Sequence, residues 1–509
     1  MTLIQLVAQT AVDKWPLILA VVAVLIGQAY FKRDPLAHLP EIGKELGTRD
    51  ERRMAFMMGA QKLYQEGYNK FKNGIFTVLT ARGSKVLVVS SKFLPELKNL
   101  PDEVLGFNEA IEQTLHSKYT LMAVGDPTIP HTVKANLTPA LPRLNATIAD
   151  EVELSFLREM PPCDDWTPIN INSKLQRIVA MVSGRVFIGP ELCHDEAYLD
   201  AAVNYTVEMI MATQAVDNMA PWKRPFLASR LPEVKKVGAR LKQADAFLKP
   251  VVQKRLNLSP ENRPDDMLQW MLNAQERFGV DKTVETLARL QLSLSFASIH
   301  TTSVVATSCF YNLAAYPEII SELRDEILSV RATHNGEMSS AALQDMKKLD
   351  SFIKETVRFN APSVSSFARK VNKTFTLSNG QVIPAGVVIE VPVSPVLHDP
   401  EFFPEPEKFD HLRYYKLREE ARSGGEAEKA AMWQFVSVNP LNMLFGYGRH
   451  SCPGRFFAAN EIKMFLATTL QMYDVKFENG VTERPADLAM GSQILPDYRV
   501  NLLFKRVKA

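Results

Sequence analysis

The sequence predicts a mainly α fold with a small β lobe, preceded by one N-terminal transmembrane helix. Three observations carry this. From Pro95 to Ala315 the hydrophobic pattern is mostly helical. Two β-rich runs, Ile75-Phe-Thr-Val-Leu79 and Lys85-Val-Leu-Val-Val89, are split by Ala81-Arg-Gly-Ser84 and read as a hairpin founding a small sheet. Trp15 to Phe31, WPLILAVVAVLIGQAYF, is an unbroken apolar run followed at once by Lys32 and Arg33.

That first run is at the short end of the ~17–25 residues needed to span a bilayer. Trp15, Tyr30 and Phe31 supply interfacial aromatics, and the basic pair places the C-terminal side in the cytosol. No small-residue cleavage site follows it, and Asp13 beside Lys14 replaces the basic cluster of a signal peptide. Residues 1–33 are therefore expected to be a membrane anchor and 34–509 a cytosolic catalytic domain. Pro35 and Pro40 read as a stiff linker, and residues 51–72 as a charged amphipathic helix. Prolines at 127, 130, 139, 142, 161, 162, 221 and 225 are expected to break the helical stretch. Leu105 to Pro130 and Met211 to Phe226 read as irregular, either as loops over a pocket or as solvated loops. The second mixes Met219, Trp222 and Phe226 with Lys223 and Arg224, which also suits a membrane surface. Leu287 to Ala315 is the longest helical candidate, and Arg455 to Tyr473 is the last strong one.

With 509 residues, 46% of them hydrophobic, the chain can bury a large core. A net charge of +2 argues against a nucleic-acid partner. The four cysteines, Cys163, Cys193, Cys309 and Cys452, are widely spaced and form no paired CxxC pattern, which argues against both a disulfide framework and a zinc site and suits a reducing compartment.

One of the four stands apart. Cys452 lies in Phe445-Gly-Tyr-Gly-Arg-His-Ser-Cys-Pro-Gly454, a glycine-rich loop directly before a helix. Exposed N–H groups and the helix dipole favour an anionic sulfur there, fit to be a nucleophile, a redox thiol or a metal ligand. A buried structural cysteine is the plain alternative. The whole string resembles the haem-binding loop of the cytochrome P-450 superfamily, Phe-x-x-Gly-x-Arg-x-Cys-x-Gly, with Phe445, Gly448, Cys452 and Gly454 in register. The resemblance covers roughly residue 35 to the end. It implies the triangular-prism fold of that family, with Cys452 as the axial thiolate on haem iron. The family's propionate-binding arginine is replaced by His450.

Further motifs extend the resemblance. Ala297-Ser-Ile-His-Thr-Thr302 is similar to the oxygen-activation motif Ala-Gly-x-Asp-Thr-Thr, with Thr301 as the retained alcohol and His300 where the acid stands. That places Thr301 over bound dioxygen and His300 as a proton relay, since imidazole titrates near neutrality. Taken without the motif, hydroxyls in an apolar helix read as a wet face, or as groups bonded back to the preceding turn. Glu355 and Arg358 share a helix face at i and i+3, an arrangement of little value on a surface. They match the family's Glu-x-x-Arg helix, with Arg413 as the third member of a structural network. Pro362-Ser-Val-Ser-Ser-Phe-Ala-Arg369 is similar to a pocket-lining segment ending in a propionate-binding arginine. Lys134 stands where an earlier propionate-binding arginine would be.

The resemblance implies a haem-thiolate monooxygenase that uses O2 and electrons from NADPH, delivered by a membrane-bound NADPH–cytochrome reductase, on the endoplasmic reticulum membrane. The distal and thiolate loops together look like fungal secondary-metabolism enzymes of the ent-kaurene oxidase-like, terpenoid-tailoring type. Ser363 to Phe367, Ala489 to Ile494 and the surroundings of Phe107 are apolar with scattered hydroxyls, which favours an apolar neutral substrate such as a diterpenoid or meroterpenoid. The rival readings are a monooxygenase of a polyketide or alkaloid, a haem-thiolate isomerase or dehydratase working without O2, and a non-enzymatic haem sensor or carrier.

Overall fold

A computed structural model describes residues 14, 15, 17, 19–24, 34–279 and 283–507. The chain divides into two compact units, Met1–Glu41 and Ile42–Ala509. In the first unit the described positions between 14 and 24 are helical, and Trp15, Leu17 and Leu19 are exposed. The rest of the apolar run, with Lys32 and Arg33, lies outside the described residues. Among the described residues no helix is long and apolar enough to cross a membrane. The Pro35–Pro40 segment is a turn, closed by the Leu36 N–H donating to Asp34 at 2.9 Å.

The second unit begins with α1 (Arg49–Phe71), fixed at its start by a reciprocal box in which Thr48 caps Glu51 and Glu51 accepts from the Thr48 N–H at 2.7 Å. The expected hairpin follows as β1 (Ile75–Leu79) and β2 (Lys85–Val89), paired from Ile75↔Val89 to Leu79↔Lys85 and turned through Gly83 at φ +74°. Next come β3 (Leu105–Gly106) and α2 (Phe107–Leu115). The helix corrects the expectation of an irregular stretch there. Its apolar positions, such as buried Ala110, found a packing surface that the sequence pattern did not reveal.

Then α3 (Thr138–Glu159), β4 (Thr167–Ile169), α4 (Ile171–Phe187), α5 (Glu196–Asn218), α6 (Pro232–Leu256) and α7 (Val284–Ala315) build the helical body. Neither Pro139 nor Pro142 breaks α3. Pro139 and Pro142 both sit in a helical run that continues from a π-turn at Val133–Leu137, where the Thr138 N–H donates to Val133 O, and the continuous helix accommodates both rings. The helical run of α5 likewise extends to Asn218, past the expected boundary at Met211, because Asp195 caps its start and Val216 is fully buried near its end.

With 32 residues, α7 is the longest helix among those described. It packs against α4, α5 and α6, so its buried residues lie at the centre of the main hydrophobic core. The hydroxyls that stud it bond to the preceding turn: Ser295 donates to Gln291 O at 3.1 Å and Ser303 to Ile299 O at 2.8 Å. After it come α8 (Lys347–Phe359), β5 (Ser365–Val371), β6 (Val388–Pro392), α9 (Arg413–Ser423), α10 (Arg455–Met472), β7 (Tyr473–Phe477) and β8 (Leu502–Arg506). In the larger sheet β2 runs parallel to β6, while β6 pairs antiparallel with β5 and β5 with β3. A smaller sheet orders β7, β8 and β4, all antiparallel. The helix α10 contacts both α3 and α7, which seats the Cys452 loop beside the body's central helix.

Candidate active site

The Cys452 loop is built by glycine geometry. Gly446 and Gly448 hold φ at +74° and +76°, and a Cβ on Gly448 would come 3.1 Å from Lys98 Cβ. The Cys452 N–H donates to Phe445 O at 2.7 Å and closes the loop, while Arg455 donates to Cys452 O at 2.9 Å. The Phe445 ring packs edge-on against Phe435 at 5.3 Å. Gly454 caps α10, and a Cβ there meets no atom within 4 Å. Cys163, Cys193 and Cys309 are buried, whereas Cys452 is partly exposed. Burial nevertheless pushes the Cys452 thiol above its ordinary range, against the opposing pull of the Gly454 and Arg455 N–H groups and the Arg455 charge. This corrects the expectation that the helix terminus alone makes the sulfur anionic. A metal cation held by the sulfur would supply the missing charge.

On α7, Ala297 and Thr301 are exposed one turn apart, although Ile299, Thr302 and Ser303 beside them are buried. The central helix of the body therefore opens on one face at the position of the oxygen motif. Thr301 Oγ1 donates to Ala297 O at 2.7 Å, which fixes its rotamer and leaves its lone pairs free. His300 is placed differently. Its Nε2 lies 2.8 Å from Val203 O on α5, so this nitrogen carries the proton and donates it. Burial holds the ring below the ordinary histidine range and hence neutral.

Arg369 is 5% exposed, on β5 at a bulge where Phe367 takes φ +58°. Its guanidinium lies 4.3 Å from the Phe367 ring centroid and 4.9 Å from that of Phe107, and among the described residues its hydrogen bond goes to Ala368 O at 2.8 Å. Among the described residues no carboxylate comes within ion-pair distance of it. Burial brings its pKa down to about 10. His450 stacks on the same Phe107 ring at 4.9 Å, and its Nε2 meets Asp102 at 2.9 Å. That contact holds the Asp102 carboxyl below the ordinary range. Asp102 was not expected here, whereas the surroundings of Phe107 were read as pocket lining; both lie about 350 residues from His450 in sequence, and the pairing of β3 with β5 brings that segment in. Lys134 is exposed in the π-turn before α3, with no polar partner among the described residues.

The three network residues are brought together. Glu355, fully buried, accepts from Arg358 Nε at 2.8 Å and Nη2 at 2.9 Å, and from Arg413 Nε at 3.2 Å. A second network was missed in the sequence. Asp350, one turn earlier on α8, holds Lys463 of α10 at 2.8 Å, Arg418 of α9 at 3.3 Å and the Phe435 N–H at 3.0 Å. The two pocket segments meet edge to edge, since Val364 N–H donates to Ser492 O at 2.9 Å and Ile494 N–H to Pro362 O at 3.0 Å.

These residues fit an iron porphyrin. A buried guanidinium has no carboxylate at ion-pair distance, open space stands at Gly454, and α10, which the Cys452 loop precedes, is in contact with α7, whose face opens at Thr301. Comparison with known proteins agrees. The family model for cytochrome P450 matches residues 135–504. Cytochrome P450 monooxygenase ATR3 of Stachybotrys chlorohalonatus is 37% identical, over 83% of this chain and 89% of its own length. The monooxygenases braC of Annulohypoxylon truncatum and paxP of Penicillium paxilli are 34% and 35% identical, covering 92% and 89% of this chain and 93% and 87% of theirs. A retinoic acid-bound cyanobacterial CYP120A1 superposes with a TM-score of 0.69 at 18% identity, over 92% of this chain and 99% of that one, which shows the shared fold. The glycine-bound thiol loop, the opened central helix and the relatives that carry the same fold lead to one conclusion: the chain belongs to the cytochrome P450 family and is a haem-thiolate monooxygenase.

Proposed function

We propose that this protein is a membrane-anchored monooxygenase of fungal secondary metabolism that hydroxylates, or oxidises further, an apolar terpenoid. The observation that carries the site assignment is the buried guanidinium of Arg369, which has no carboxylate at ion-pair distance and feels Asp102 only at longer range, in the same unit as the partly exposed Cys452. In this reading Cys452 is the axial iron ligand, and Phe445, Gly448 and Gly454 shape its loop. Arg369 takes a haem propionate, with His450 and Lys134 as further propionate contacts. Because Nε2 of His450 is engaged by Asp102, its Nδ1 is the atom left for that role. The bound haem supplies activation of O2 for insertion into a C–H bond. The chain's own residues exclude water, orient the substrate and hold a proton at Thr301 Oγ1. His300 ties α7 to α5.

The apolar lining and few charges of the segments at 362–367 and 489–494 support a neutral, greasy substrate. Residues 1–33 are the single-pass anchor, with the catalytic domain cytosolic on the endoplasmic reticulum. Trp222 and Phe226, 71% and 70% exposed beside Lys223 and Arg224, support a second contact with the membrane surface. Electrons come from NADPH through a membrane-bound reductase. Microsomes carrying the protein and a reductase are incubated with NADPH, O2 and a panel of cyclised terpenoids, and products are read by mass spectrometry. Oxygenated terpenoid that requires both NADPH and O2 is expected. Product formed without either one overturns monooxygenation in favour of an isomerase or dehydratase. Turnover of polyketides or alkaloids alone overturns the substrate class.

A further inference from the structure

Away from the haem site, three metal-binding side chains of different chemistry converge. Glu151 lies on α3, and Cys193 and His194 are adjacent in the turn joining α4 to α5. One donor atom from each lies within 4.8 Å of the others. Glu151 and Cys193 are buried, while the His194 side chain, 27% exposed, gives a route to solvent. His194 Nε2 stands 3.0 Å from Glu151 Oε1. The Cys193 sulfur has one weak contact, to Pro190 O at 3.8 Å. The turn that presents it is fixed: Gly189 holds φ +96°, and the Cys193 N–H donates back to Gly189 O at 3.2 Å.

We propose that Glu151, Cys193 and His194 form a zinc site. A thiolate, an imidazole and a carboxylate are the donor types zinc takes, and three protein ligands leave the fourth tetrahedral position to water. The outer contacts have the character expected around such a site. Ser155 Oγ donates to Glu151 Oε1 at 3.1 Å, and Arg185 Nε stands 4.0 Å from Glu151 Oε2. Binding is balanced in protons and charge. The Cys193 S–H releases its proton to solvent, the His194 ring proton moves from Nε2 to Nδ1, and thiolate and carboxylate together neutralise the dication. Arg158, now 3.4 Å from His194 Nδ1, turns to Glu196, which it already approaches at 3.7 Å. The site pins α3 to the turn before α5 and lies apart from the chemistry on the haem.

The full-length haem-loaded protein, stripped with a chelator, is titrated with zinc chloride, and bound metal is measured by mass spectrometry. A single zinc per chain is expected. Cys193→Ser and His194→Ala should each abolish it while leaving the spectrum of the reduced, CO-bound haem as in the parent. Ser155→Ala should weaken binding about 10–100-fold. X-ray absorption at the zinc edge of the unaltered protein should show one sulfur at about 2.3 Å among nitrogen and oxygen neighbours, and this needs no variant to fold. No zinc bound, undiminished zinc in either ligand variant, or an edge spectrum without sulfur overturns the proposal, leaving a Glu151–His194 pair beside a buried thiol.

Discussion

Glu355→Ala tests the network that supports the thiol loop. The carboxylate is fully buried and accepts from both guanidinium nitrogens of Arg358, from Arg413 Nε and from the Asp410 N–H at 3.1 Å. Its removal leaves the Arg358 guanidinium at 1% exposure with only the carbonyls of Leu397, at 2.9 Å, and Lys408, at 3.4 Å. Carbonyl dipoles do not neutralise a whole charge. Breaking a buried pair in this way costs about 3–5 kcal/mol, or a factor of roughly 10²–10⁴ in the folded population. That is a large share of the ~5–15 kcal/mol by which proteins are stable. Arg413→Ala should cost less than Arg358→Ala, because Glu355 then keeps its two bonds to Arg358. Haem content and the urea midpoint are measured for all three variants. Little haem-loaded Glu355→Ala protein is expected. Parent-like haem content and midpoint with turnover selectively lost would refute the structural reasoning.

Cys452→Ser should abolish the red-shifted Soret band of the reduced, CO-bound protein; retention of that band would reassign the iron ligand. Thr301→Ala should raise peroxide release at the expense of product, whereas His300→Ala should lower stability by about 0.5–1.5 kcal/mol, the worth of its bond to Val203 O, with the peroxide-to-product ratio unchanged. A changed ratio in His300→Ala restores the proton-relay role. Glu461 gives a pH signature: fully buried on α10 with one bond from Ser183 at 2.9 Å, its pKa is raised from 4.5 to about 8 by desolvation. Between those values the folded state binds the proton and the unfolded state does not, so stability should fall as pH rises, by about 1.4 kcal/mol per unit at most. Glu461→Gln should flatten that slope in thermal melts at pH 5 to 8, and an unchanged slope means that Glu461 does not carry it.

Local pattern made much of the architecture legible. The β hairpin, the 32-residue helix and α10 stand where hydrophobic period and glycine punctuation put them, because those signals act between near neighbours. Where the reading missed, long-range packing outweighed a local signal: Pro142 was tolerated inside α3, and the stretch after Leu105 folded into a strand and a helix once β3 could pair with β5. The motifs named Glu355, Arg358 and Arg413 correctly as neighbours. They gave no hint of Asp350 with Lys463 and Arg418, or of Phe107 between Arg369 and His450, since nothing in the spacing of those residues links them.

The sequence by itself determined the family, the thiol loop and the residues that make up its motifs. All of these rest on short strings whose chemistry is local: glycines that permit positive φ, a cysteine before a helix, and hydroxyls in an apolar run. Tertiary structure alone decided where each group points. The neighbouring helix α5 presents the Val203 carbonyl to His300 Nε2 at 2.8 Å, and this contact, rather than the motif, fixes where the His300 ring sits while Thr301 lines the open face. Burial, which no local string encodes, set the neutral state of the His300 ring, lifted the Cys452 thiol and lowered the Arg369 pKa against the opposing pull of Asp102. Desolvation is a property of everything packed around a group, so it exists only once the chain has folded.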